Sequence, residues 1–170
     1  VPGALGEMKT KPTQTAARLL NSAGIQPDFV LARASSAIDE PRRRKLAVFC
    51  NVQPDDVFSA PDVSSAYEVP LNFDRDGLGE KILKKFGLRP RKNDMRQWAA
   101  LVHTINTAKK EVKIGIVGKY FTTGNFVLTD AYISVIEAIR HAAWYFKYKP
   151  VLTWIDSVEY ETNPRKLAEL

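Results

Sequence analysis

The stretch KTKPTQTAARLLNSAGIQPDFVLARA, residues 9–34, decides the fold class. Its first half reads as a helix from Pro12 to about Ala23, because Ala16, Leu19, Leu20 and Ala23 recur at helical spacing. Gly24 stands where a helix-ending glycine belongs. DFVLARA (28–34) is a short, nearly continuous apolar run and predicts a buried strand. A second helix over 40–50, with Pro41 near its first turn, leads to a second strand, DVFSAP (56–61). Helices alternating with buried strands predict an α/β domain with a largely parallel sheet and covering helices.

Further along, residues 68–88 predict one or two short helices, of which EKILKKFG is the clearer. RPRKND (89–94) is polar and reads as a linker. A helix follows from about Met95 to Thr107, with Trp98, Leu101, Val102 and Ile105 on one face. EVKIGIVGKY (111–120) predicts a strand and FTTGN a loop. Leu128 to about Tyr148 predicts a long helix with Ile133, Ile136 and Ile139 inward, and PVLTWID (150–156) another strand. Two parallel strands cannot cover both faces of a sheet, so a second α/β domain is expected to begin near residue 111 and to be truncated. VPGALGE looks like a strand end and PRKLAEL like a helix beginning, so both ends of the chain are expected to be cuts. The expected organisation is a partial domain over 1–88, a linker with a helix over 89–110, and a second partial domain over 111–170.

The 170 residues are 45% hydrophobic, enough for a packed core, and carry a net charge of +6. Residues 1–110 hold 18 Lys and Arg against 12 Asp and Glu, whereas residues 111–170 hold 7 of each. The basic excess belongs to the first part and suits either an anionic ligand or a solvated basic surface. The lone Cys50 cannot form an internal disulfide, and it closes an apolar run, LAVFC, as a buried residue would. No apolar run approaches the roughly 20 residues of a membrane span, and no signal peptide is visible. A cytoplasmic protein is the expectation.

The chemistry concentrates at Lys9–Gln14. A helix N-terminus presents unpaired N–H groups and the positive end of the helix dipole. Pro12 is preorganised for the first turn; Thr10 and Thr13 add hydroxyls, Lys9 and Lys11 add charge, and Gln14 offers a donor and an acceptor. This suits a phosphorylated ligand, and equally a capped, solvated helix start. In RRRK (42–45), Lys45 shares a side with Phe49 and is expected near the buried edge, able to reach a ligand; basic runs otherwise wet an outer face. Asp62 follows a strand end, where α/β folds bind ligands, and could bond a ribose or base amine or cap the turn at Ser64. His103 and His141 lie away from other ligand-type residues, and Trp98, Trp144, Trp154, Tyr120 and Tyr132 read as packing. CxxC, HExxH and GxSxG are absent.

Taken in order, GEMKTKPTQ, GIQPDFVLAR, KLAVFCNV, SAPDVSSAYEVPL and VGKYF…DAYISVIEAIRHA closely resemble the CTP synthase family over almost the whole chain. The resemblance implies a ligase that aminates UTP to CTP in pyrimidine biosynthesis, with ATP and Mg²⁺, using ammonia from glutamine. It implies a parallel-sheet, P-loop-type amidoligase domain, here its second half, followed by the start of a class I glutamine amidotransferase α/β domain. By resemblance, Lys9, Thr10, Lys11, Pro12, Thr13, Gln14 and Lys45 line a pocket for UTP and CTP, and Pro61, Asp62 and Val63 contact the adenine part of ATP. The family's phosphate loop and Mg²⁺ ligands are expected before Val1, and its Cys-His-Glu triad beyond Leu170. No catalytic or metal-binding residue is therefore assigned within the chain, and the chain alone is expected to be inactive. Thr15 stands where many members carry His and receives no role; FTTGNFVLTD (121–130) looks like an insert of unknown effect. The complete enzyme is expected to be a homotetramer, with neither nucleic acid nor membrane as a partner. The alternative is a non-catalytic nucleotide- or nucleic-acid-binding module, disfavoured because the basic residues lack the aromatic interleaving of a single-strand binder.

Overall fold

The computed structural model describes residues 9–119, 122–123, 126–127 and 132–169. The chain divides into two compact units, Val1–Met95 and Arg96–Leu170.

In the first unit, helix α1 (Lys11–Ser22) leads to strand β1 (Val30–Ala34), helix α2 (Glu40–Cys50) and strand β2 (Val57–Pro61). The strands pair in parallel, Val30 opposite Val57 through Ala34 opposite Pro61, as the alternation predicts. Alternate residues of β1 point to opposite faces, so Val30 and Ala32 enter the core while Leu31 and Arg33 are exposed. The core joins Val30 and Ala32 to Ala17 of α1, Leu46, Ala47 and Cys50 of α2, and Val57 of β2. The buried face of α1 is Gln14 and Ala17; the expected stripe lies off it, Leu19 being 66% exposed. Two helices rather than one cover the segment before the linker, α3 (Val69–Arg75) and α4 (Leu78–Lys85), parted by Gly77 in the left-handed region at φ 72°.

In the second unit, α5 (Arg96–Thr107) buries Val102, with Trp98, Leu101 and Ile105 half-buried, so the expected face is present. Strand β3 (Lys110–Gly118) pairs in parallel with β6 (Tyr148–Asp156), which starts two residues before the predicted strand. Thr122–Thr123 (β4) and Phe126–Val127 (β5) form a short antiparallel ladder within the segment read as an insert. The other residues of that segment, and Tyr120, lie outside the described residues. Helix α6 (Ile133–Tyr145) ends before the predicted Tyr148, in a turn in which Lys147 takes φ 61°, and its predicted start at Leu128 lies outside the described residues. Ile136 is buried against Ile116, with Ile139, Leu152, Tyr132 and Trp154 packed around them. Ile133, expected inward, is 49% exposed because it opens the helix one turn before the sheet-facing position. A short helix, α7 (Ser157–Thr162), and a 3₁₀ segment (Pro164–Glu169) follow.

Candidate nucleotide site

A helix that feeds a strand through a short connection runs antiparallel to it, so the start of α1 lies toward the C-terminal end of β1. Helix α2 leaves that same end. The N-termini of α1 and α2 therefore both face the sheet edge where α/β folds bind ligands.

At the start of α1, Thr10 is the N-cap residue and the helix carries proline in its first two positions, as Pro12 predicts. The Thr10 hydroxyl does not cap the helix. Instead Gln14 Nε2 donates to Thr10 Oγ1 at 3.0 Å, and both side chains are buried. The Gln14 backbone N–H donates to the Thr10 carbonyl at 3.1 Å. Gln14, read as a ligand-facing amide, thus turns inward and braces the first turn. Lys9, Lys11 and Pro12 are exposed and Thr13 is half-buried. No acidic residue lies in the first turn. A bare helix start favours Asp or Glu there and is weakened by lysine, each by about 0.3–1 kcal/mol. Two lysines at this end are electrostatically misplaced for an empty helix and well placed for a bound anion.

Helix α2 starts in the ordinary way. Asp39 accepts from the Arg42 backbone N–H at 2.9 Å and pairs with the Arg42 side chain. Glu40 pairs with Arg44 at 2.9 Å and lies 3.6 Å from Arg43. Arg43 also donates to the Val57 carbonyl, so among the RRRK residues Arg43 crosses to the sheet. Lys45 does not sit near a buried edge: it is exposed, and Phe49 one turn on is 56% exposed. Core-facing Leu46, Ala47 and Cys50 take the other side, so the shared face of Lys45 and Phe49 is an outer one.

At the strand ends, Asp62 N–H donates to the Ala34 carbonyl at 2.9 Å, extending the β1–β2 ladder by one bond. Asp62 Oδ1 accepts from Arg33 Nε at 2.8 Å. Asp62 therefore does not cap the following turn; Ser65 does, accepting from the Tyr67 N–H. Pro61 and Val63 are half-buried beside it. Arg33 went unremarked in the sequence, although a guanidinium at an outward position of DFVLARA is the signal that could have found it.

Cys50 is the last residue of α2 and fully buried; burial pushes its thiol above the usual range. Among the described residues no group of His, Cys, Asp and Glu could hold a metal ion. His103 and His141 are exposed, and His141 Nε2 lies 3.8 Å from Glu137. In the second unit, Lys119 Nζ bonds Glu161 at 2.8 Å; that hydrogen bond and charge, aided by Asp156, raise the Lys119 pKa against desolvation. No helix among the described residues is long and apolar enough to cross a membrane.

The family model described as the CTP synthase N-terminus matches residues 1–88. The CTP synthase of Sulfurisphaera tokodaii is 43% identical over 164 residues, covering 96% of this chain and 30% of its own. That of Pyrococcus abyssi is 41% identical over 97% of this chain and 30% of its own, and that of Agrobacterium fabrum 45% identical over 93% and 28%. The chain spans about 30% of the length of the relatives it matches.

Proposed function

Since the chain belongs to the CTP synthase family, we propose that it contributes the pyrimidine-nucleotide pocket of an enzyme that aminates UTP to CTP. In this reaction ATP transfers its γ-phosphoryl group to O4 of UTP, and ammonia from glutamine then adds at C4 and expels phosphate. The observation that carries the reading is the start of α1, where Lys9 and Lys11 stand at the positive end of a helix dipole with no acidic residue in the first turn.

The two lysines and the free end of the helix hold the triphosphate of UTP, or of CTP as the product that competes for the same pocket. Thr13 supplies a hydroxyl and Pro12 fixes the backbone of the turn, while Lys45, exposed on the outer face of α2, is assigned to the pocket by resemblance to the family alone. Thr10 and Gln14 act indirectly: their mutual hydrogen bond holds the turn that presents the lysines. The Arg33–Asp62 pair, with Pro61 and Val63, fits the adenosine side of ATP at the strand ends. Among the described residues no group of side chains fits Mg²⁺, and no step is assigned to it. The β3–α6–β6 unit is read as the start of a class I glutamine amidotransferase domain, and the complete enzyme as a cytoplasmic homotetramer.

In the complete enzyme, Lys9→Ala raises the UTP concentration needed for half-maximal rate and relaxes CTP inhibition together, because one pocket serves both. Steady-state rates across UTP and CTP concentrations test this. Unchanged dependence on both nucleotides refutes the assignment. The chain alone forms no CTP from ATP, UTP and ammonia, and turnover above a protein-free blank would contradict that.

A further inference from the structure

A cleft lies at the end of the first sheet opposite the α1 N-terminus. Asp28 precedes β1 and Asp55 and Asp56 precede β2, so these residues mark the N-terminal edge of the strands. There the cleft, of about 770 Å³, is lined by Gln53, Asp55 and Asp56 on one side and Lys81, Lys84 and Lys85 of α4 on the other. Lys81 donates to the Asp55 carbonyl and lies 3.8 Å from Asp56, while Lys85 bonds Asp28 at 3.2 Å. Lys84 forms no ion pair among the described residues.

Past the cleft, α4 ends in a tight motif: Gly87 N–H donates to the Lys84 carbonyl at 3.0 Å and Leu88 N–H to the Leu83 carbonyl at 2.9 Å. Gly87 takes φ 67°, as the motif requires. The motif fixes the backbone at Phe86 and Leu88, whose side chains are 75% and 57% exposed. Around them Lys84, Lys85, Arg89, Arg91 and Lys92 are all exposed, and no acidic residue occurs from Lys81 to Asn93. Two exposed apolar side chains on a fixed turn, in a stretch whose basic residues apart from the paired Lys81 and Lys85 exceed any acidic ones, and next to a cleft, have the anatomy of a recognition surface.

We propose that this surface, residues 81–92 with the adjoining cleft, docks an acidic peptide segment of a partner protein that carries an apolar side chain. Charge complementarity sets the sign of the partner, and Phe86 and Leu88 give it an apolar anchor. The exposed Phe86 and Leu88 favour a peptide carrying an apolar side chain over other polyanions, and a concavity admits a narrow chain rather than a flat bilayer.

The test is fluorescence anisotropy of a labelled Glu-rich peptide with a central Phe, titrated with the full chain. Binding is expected to weaken steeply between about 50 and about 200 mM salt. Reversing Lys84, Arg89, Arg91 and Lys92 to Glu is expected to weaken it at least about tenfold, as loss of charge complementarity does. Phe86→Ala is expected to weaken it roughly fivefold through loss of the anchor. Reversing Arg18, Lys109, Lys110 and Lys113 instead, also exposed, is expected to leave it unchanged. Absence of binding at the lower salt, equal loss in the two charge-reversed variants, or tighter binding of anionic phosphatidylserine vesicles or a single-stranded oligonucleotide than of the peptide would each overturn the proposal.

Discussion

Helices α1 and α2 begin at the same edge of the same sheet and solve the same problem differently. Each must satisfy the N–H groups of its first turn and accommodate the positive end of its dipole. Helix α2 does so internally, with Asp39 as cap and Glu40 in the first turn, each paired to an arginine of its own helix. Helix α1 does not: its N-cap hydroxyl is used to hold Gln14, its first turn has no acidic residue, and lysines flank it. The same physics predicts a self-contained helix start in one case and an anion-receiving one in the other. Proteins give up local stability in this manner where function requires it.

The largest expected break in this comparison comes from exchanging the two solutions. Lys11→Glu places the missing acid at the start of α1 and is expected to lower CTP affinity of the complete enzyme by at least about a factor of ten, since a like charge now faces the phosphates. Calorimetric titration measures it. Next in size, Thr10→Val removes the acceptor for the buried Gln14 amide and is expected to cost about 1–3 kcal/mol, the penalty of an unsatisfied buried donor. Urea unfolding of the chain reports it, and a cost near zero would mean the bond does not brace the turn. Asp39→Ala, which removes a working cap, is expected to cost about 0.5–2 kcal/mol in the same assay. The smallest effect has the opposite sign: Lys11→Glu stabilises the unliganded fold by about 0.3–1 kcal/mol, because the acid complements the dipole.

Cys50 offers an independent check on the frame that holds both helices. Burial raises its pKa above the ordinary 9.0. A folded-state pKa above the unfolded one gives stability that is complete below the unfolded value and lost as pH rises through the folded value. The thiol is therefore expected to stay unreactive toward a maleimide at neutral pH until the chain unfolds, and stability to decline in the alkaline range above about pH 9.

The fold was legible wherever a local pattern and its tertiary partner agree. DFVLARA and DVFSAP pair in parallel because both are buried apolar runs separated by a helix, and Pro12 and Pro41 mark helix starts by their chemistry. The misses share one cause: helical spacing tells which residues align, not which aligned face meets the sheet. Leu19 lies outside while Gln14 and Ala17 are buried, because Val30 and Ala32 lie under that side of α1. Lys45 was expected inward for its alignment with Phe49, yet the sheet contacts Leu46, Ala47 and Cys50. In KTKPTQ, the proline in the first turn of α1 could be read directly. The Thr10–Gln14 bond and the Arg33–Asp62 pair could not, since the first depends on which face is buried and the second joins residues 29 positions apart.

A start of α1 that trades stability for nucleotide binding must show both effects in one molecule. One variant measured two ways tests it most directly: the complete enzyme with Lys11→Glu, followed by thermal unfolding without ligand and by CTP titration. A higher unfolding temperature together with lost CTP affinity is expected. Unchanged affinity, or lost affinity with a lower unfolding temperature, would contradict it.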